Sequence, residues 1–170
     1  MKFGIVITRD MVYLGRQRNI KELAKDYVRA SSLELIRWEI YQQKIPGSVA
    51  EVGVYQGDFA RLINLFFPDR KLYLFDTFEG FPEEHAKIDR DKLFSSADQD
   101  WKDTSIELVM SKMIFKENVI IRKGIFPETA KGIQESFCFV SIDVDLYQPT
   151  KDALEFFYPK LSRGGVYLCS

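Results

Sequence analysis

Asp143 and Asp145 stand two residues apart at the end of the apolar run Phe137-Cys-Phe-Val-Ser-Ile142. In an extended chain, residues so spaced project to the same side. Two carboxylates aimed together repel each other, so one takes a raised pKa or the pair shares a cation. A hard ion such as Mg²⁺ accepts oxygen donors of this kind, and the other carboxylate of the pair is then a candidate general base. The structural alternative for Asp145 is to cap the helix that starts near Pro149.

A second group of candidates lies at Glu51-Val-Gly-Val-Tyr-Gln-Gly57. The turn signal Pro46-Gly-Ser48 precedes an apolar run from Val49 that reads as a buried strand. Phe59-Ala-Arg-Leu-Ile-Asn-Leu-Phe66 then has helical spacing. Gly53 and Gly57 therefore sit in a strand-to-helix turn, with Glu51 at the carboxyl end of the strand. Glycine there lets the backbone approach a ligand closely, and the first amides of the helix face a polar or anionic group. Open α/β sheets bind nucleotide-like ligands at such turns. The spacing is neither Gly-x-Gly-x-x-Gly nor a phosphate-binding P-loop, so a tight packing turn is the alternative. Asp76 ends the next strand, Lys71-Leu-Tyr-Leu-Phe-Asp76, where an acid accepts hydrogen bonds from ribose hydroxyls or simply serves the loop.

The elements that must position these groups follow the chain. Residues 1–44 read as an N-terminal helical cap and 45–170 as the core of a single domain. Ile5-Val-Ile7 is a short strand or arm, and Ile20 opens a helical pattern through Val28. Ser31 or Ser32 reads as an N-cap, with Glu34 able to close a capping box on Ser31. The helix it starts carries Leu33, Ile36 and Ile40 on one face and stops before Pro46. Phe78 and Phe81 lie in a rigid turn and are placed to cover an adenine or a substrate. Residues 83–103 read as a polar loop that shapes an acceptor pocket, with His85 solvated. Met110 and Met113 are core positions of a helix over 104–115. A third strand runs over 118–124 and ends in the Gly124 turn. The fourth continues from Phe137 through Tyr147. A helix over 151–161 ends at Arg163-Gly-Gly165, before a fifth strand at Val166-Tyr-Leu-Cys169.

Composition excludes several classes. A 170-residue chain with 46% hydrophobic and 29% charged residues is an ordinary globular one, and its net charge of −1 gives no electrostatic case for nucleic acid or an anionic membrane. No run approaches the roughly 18 to 20 apolar residues of a membrane span. Cys138 and Cys169 read as buried free thiols, consistent with a cytoplasmic location. With one histidine and no Gly-x-Ser-x-Gly elbow, a Ser-His-Asp hydrolase is unsupported.

In combination, Ile45-Pro-Gly-Ser-Val-Ala-Glu-Val-Gly-Val-Tyr-Gln-Gly-Asp-Phe-Ala60, Leu74-Phe-Asp-Thr-Phe-Glu-Gly-Phe-Pro82, Ile142-Asp-Val-Asp-Leu-Tyr-Gln-Pro-Thr150 and Tyr158-Pro-Lys-Leu-Ser-Arg-Gly-Gly165 resemble the macrocin O-methyltransferase family. These are class I S-adenosylmethionine-dependent methyltransferases that methylate sugar hydroxyls of macrolides and related glycosides. The resemblance implies an α/β Rossmann-like three-layer sandwich with a mainly parallel sheet. It implies cofactor contacts at Glu51, Gly53, Val54 and Tyr55, and further ones at Gly57, Asp76, Thr77 and Gly124. Asp143 would ligate Mg²⁺ and Asp145 would take the substrate proton. In the family an Asp-Asp-Tyr-type segment with further metal ligands follows the fifth strand, and two more strands complete the sheet. This chain ends at Ser170, where that segment would begin. The expected partner is a small-molecule hydroxyl substrate, a sugar or glycoside; a homo-oligomer is compatible. Two alternatives stay open: a non-catalytic S-adenosylmethionine-binding or interaction module, and an NAD-dependent oxidoreductase on the same architecture.

Overall fold

The computed structural model describes residues 27–81, 83–92, 94 and 101–169. The strand expected at Ile5-Val-Ile7 and most of the helix expected from Ile20 lie outside the described residues, as does the side chain of His85.

Five strands form one all-parallel sheet in the order β3-β2-β1-β4-β5: β1 (Ser48–Val52), β2 (Leu72–Asp76), β3 (Val119–Lys123), β4 (Phe137–Ile142) and β5 (Leu161–Cys169). β1 is central: Ala50 pairs with Tyr73 on one side and Val140 on the other. Every residue of β1 and β4 is buried, as a parallel strand covered on both faces requires. Because β1 is flanked by β2 and by β4, strand order reverses there, and the loops leaving the carboxyl ends of β1 and β4 splay apart into a crevice.

Two apolar layers clamp the sheet. On one face Val49, Leu72, Leu74 and Phe139 pack with residues of α1 (Tyr27–Gln42), α2 (Asp58–Phe66) and α4 (Ile106–Lys112). On the other, Tyr73, Phe75, Phe137 and Ile142 pack against Phe126 and Phe157, the last from α5 (Tyr147–Phe157). Successive residues of β2 alternate between the layers, the period-two pattern of a covered sheet, whereas in β4 Cys138 and Phe139 face the same layer where the register shifts. Met113 is buried and Met110 packs against the same core, but α4 is shorter than expected and Met113 lies just past its end.

Several boundaries differ from the sequence expectation. Neither Ser31 nor Ser32 is an N-cap: α1 already runs at Tyr27, and Ser31 is buried inside it. The stretch read as a polar loop contains the helix α3 (Glu83–Asp91). Among its described side chains the buried ones are Ala86 and Asp89, too little apolar spacing to show in the sequence. β4 stops at Ile142, and α5 begins at Tyr147, earlier than expected. That helix ends at Phe157, where Pro159 enters a 3₁₀ turn that leads into a longer β5. Of the two cysteines, Cys138 is buried and Cys169 is exposed, so the expectation of two buried thiols fails for Cys169. No helix among the described residues is long and apolar enough to cross a membrane.

Candidate active site

The turn after β1 is held by backbone bonds on both sides. The Gly53 amide donates to the Phe75 carbonyl at 2.9 Å, and the Asp143 amide donates to the Val52 carbonyl at 2.8 Å. These bonds bring Gly53 against the backbone of Asp143, and its φ of +85° lies in the left-handed region. Tyr55, with φ of 49°, continues the turn. Asp76, at the end of β2, braces it. Its Oδ2 accepts the Val54 and Tyr55 amides at 2.6 and 2.9 Å, and its Oδ1 accepts the Phe78 amide at 2.7 Å. A carboxylate oxygen has two lone-pair sites, so these bonds leave capacity toward the crevice, which Asp76 also lines.

The crevice has a volume of about 230 Å³ and is walled by the four loops that leave β1, β2, β3 and β4. Among the sequence-predicted residues, Glu51, Gly53, Val54, Tyr55, Asp76, Thr77, Gly124, Asp143 and Asp145 all line it. Gly57 does not. It supplies the N-cap of α2, and its Cα faces the Val109 side chain, where a Cβ would lie 3.0 Å away. Thr77 closes its own turn by donating its hydroxyl to the Gly80 carbonyl at 2.6 Å. The Gly124 amide donates to the Asp76 carbonyl at 2.9 Å.

Asp143 and Asp145 share the crevice, but not by strand alternation. Both lie beyond β4, and Asp145 takes a φ of 54°. The turn, rather than the pleat, brings them together. Asp145 does not cap α5 either: the helix has no side-chain cap at its first residue, and the Tyr147 amide donates instead to Asp89 Oδ2 at 2.9 Å. Burial raises the Asp145 pKa above the ordinary carboxylate value, the Asp143 charge raises it further, and Arg29 opposes both.

Glu51 is 1% exposed, and its Oε2 has no hydrogen-bond partner among the described residues. Burial pushes its carboxyl well above the usual range. Arg29 opposes this, and the Asp143 and Asp76 charges add to it. A buried acid left so poorly satisfied is a stability cost of the kind found where ligands bind. A raised folded pKa means that the folded state holds its proton where the unfolded chain has lost it. The contribution of Glu51 is therefore fully present below the unfolded value and is lost as pH rises through the folded value. Glu51→Gln is expected to melt higher than the wild type near about pH 8, by on the order of 1–2 kcal/mol, with little difference near about pH 5. Thermal melts across that range check this; a variant less stable at the upper end would contradict it.

Residues not identified from the sequence complete the walls. Arg29 reaches in from α1 and contacts Asp143 and Glu51. Trp101 meets the Tyr55 ring edge-on at 4.7 Å. Asp103 accepts the Tyr55 hydroxyl at 2.8 Å and the Gln56 amide nitrogen at 2.9 Å, so residues 101–104 cover the glycine turn. Of the two turn aromatics, Phe81 lines the crevice, but Phe78 is buried in the core. No local pattern marks Arg29, whose partner lies 114 residues away. For Trp101, the only signal is an aromatic in an otherwise acidic stretch.

Comparison with known proteins gives the family and the fold. The family model for macrocin O-methyltransferase (TylF) matches residues 26–169. A tetracenomycin rhamnosyl 4'-O-methyltransferase from Streptomyces olivaceus is 28% identical over 81% of this chain and 57% of its own length. The mycinamicin III 3''-O-methyltransferase of Micromonospora griseorubida is 29% identical over 71% of this chain and 53% of its own. The chain thus spans just over half the length of the curated relatives it matches. The solved O-methyltransferase NovP superposes with a TM-score of 0.69 at 22% identity, covering 83% of this chain and 63% of its own, which places the fold among Rossmann-like methyltransferases. With a family model matched over most of its length, the chain belongs to the macrocin O-methyltransferase family.

Proposed function

We propose that this chain binds S-adenosylmethionine and transfers its methyl group to a hydroxyl of a sugar or glycosylated small molecule. The observation that carries this reading is the crevice at the β1–β4 reversal, where the Gly53 turn, Asp76 and Asp145 converge. The residues fit the cofactor: Gly53 presents bare backbone to the crevice, and the orphaned Glu51 Oε2 is an acceptor waiting for a donor. The cofactor supplies a methyl on a sulfonium, open to in-line attack by an oxygen nucleophile.

The chain's own residues bind and orient. Glu51 accepts the methionine ammonium, and a cation there restores the ionised carboxylate that burial disfavours. The turn at Gly53, Val54 and Tyr55 lies along the methionine portion. Asp76 takes a ribose hydroxyl, and Thr77, Phe81 and Gly124 border the base. Asp145 would take the proton of the acceptor hydroxyl, and the bound cofactor would supply the methyl group, keeping the C–S bond pair as S-adenosylhomocysteine. Holding both reactants in one crevice supplies much of the rate. The name of the Streptomyces relative, which acts on a rhamnosyl tetracenomycin, supports a sugar hydroxyl as acceptor.

Mg²⁺ is a different case. Asp143 and Asp145 offer two carboxylates, but Asp143 is already paired with Arg29. No group of three His, Cys, Asp or Glu side chains that could hold a metal ion occurs among the described residues. The donors among the described residues do not by themselves make a divalent site.

Calorimetric titration of the 170-residue chain with S-adenosylhomocysteine tests the cofactor half. Binding in the micromolar range is expected. A folded sample that gives no binding heat would sink the proposal. Binding without turnover on any rhamnosyl or related deoxysugar glycoside would favour the non-catalytic module.

A further inference from the structure

Arg29 enters the acidic end of the crevice from α1. Its Nη1 donates to Asp143 Oδ2 at 2.7 Å, and its Nη2 stands 3.8 Å from Glu51 Oε1. Its guanidinium carbon lies 4.0 Å from the centroid of the Phe59 ring. The Arg29 and Asp143 side chains are 21% and 26% exposed, so water screens the pair only in part. A short charge-assisted bond fixes one end of the guanidinium, and stacking on Phe59 fixes its plane. Arg29 also opposes the rise in the Glu51 and Asp145 pKa values. Among the described residues, the Arg29 guanidinium thus contacts Asp143 and Glu51 and acts through its charge on Asp145.

We propose that Arg29 is the resident counter-cation of this acidic cluster, holding Asp143 in the place a divalent ion would otherwise take. Mg²⁺ surrenders its water reluctantly and needs near-octahedral oxygen ligands. To reach Asp143 it must displace a guanidinium that is bonded, stacked and of like charge. Arg29 is thus a positioning residue. It fixes the Asp143 carboxylate from α1, and through Asp143 it fixes the turn that carries Asp145.

Mn²⁺ is the probe, its free concentration read by electron paramagnetic resonance during titration of the chain. Neither methyl donor nor acceptor is present, so this outcome is separate from that of the S-adenosylhomocysteine titration. The wild type and Asp143→Asn are expected to retain Mn²⁺ equally weakly, because Asp143 is already taken. Arg29→Met, which keeps the stem over Phe59 and removes the charge, is expected to bind at least about tenfold tighter, since like charges placed together cost several kcal/mol. Adding Asp143→Asn to that variant should abolish the gain, and Arg29→Lys should behave as the wild type. Weaker Mn²⁺ binding by Asp143→Asn alone would overturn the proposal. So would a folded Arg29→Met chain, judged by circular dichroism, with no gain. Should Arg29→Met not fold, the comparison of wild type with Asp143→Asn decides.

Discussion

Gly53→Ala is expected to abolish S-adenosylhomocysteine binding and to remove more than about 3 kcal/mol of stability. A Cβ at this position would lie 1.9 Å from the Asp143 carbonyl oxygen and 2.7 Å from its carbon. Both obstacles are backbone, so no rotamer change relieves them. Moving the backbone is equally costly, because the Gly53-to-Phe75 and Asp143-to-Val52 bonds tie β1 to β2 and β4 at this point. Relief requires the central strands to part where the crevice opens. Gly132→Ala is the control. Its φ of +82° is as strained, but nothing lies within 4 Å of the added Cβ, so only the left-handed penalty of roughly 1–2 kcal/mol applies. Chemical denaturation and calorimetry on both variants separate the two costs. A Gly53→Ala chain as stable as Gly132→Ala, with ligand binding intact, would show that the turn does not hold the cofactor.

The parts of this site that were legible in the sequence are those set by local chemistry. Pro46-Gly-Ser48 followed by an apolar run announces β1, and Gly53 marks a turn that only glycine can make. Asp76 was identified at a strand end, but its bonds to the Val54 and Tyr55 amides were not, since they link segments about twenty residues apart. Asp143 and Asp145 do line one crevice, as the spacing predicts, but by a different geometry. Their neighbourhood arises from a turn with a left-handed residue, not from an extended strand. α3 escaped notice because the face it buries contains the charged Asp89, which accepts the Tyr147 amide. An acid buried for such a purpose looks, in one dimension, like any solvated one. Arg29 is the clearest limit: its pairing with Asp143 exists only once α1 has folded across the sheet.

The left-handed conformation at Asp145 makes Asp145→Asn an unusually clean test of the base. Asparagine tolerates positive φ as well as aspartate does, so the turn and α5 should stand unchanged. The amide has nearly the same shape but cannot take the proton. Turnover is expected to fall by about 10²–10⁴, the range of general base catalysis, while S-adenosylhomocysteine affinity stays within a few-fold of the wild type. The pH profile offers an independent reading. The base is the ionised carboxylate, present above its pKa, and burial followed by the Asp143 charge moves that pKa upward. The wild-type rate should therefore decline as pH falls through a value above the ordinary carboxylate range, and the residual rate of Asp145→Asn should lack that limb. With a glycoside acceptor of the proposed reaction, initial rates across pH decide between base and scaffold. A variant that keeps its rate within about tenfold, or retains the acid limb, would relegate Asp145 to shaping the turn. A loss of both cofactor affinity and thermal stability would say the same. Loss of rate and limb together, with the fold and cofactor site intact, is the signature that only a proton acceptor leaves.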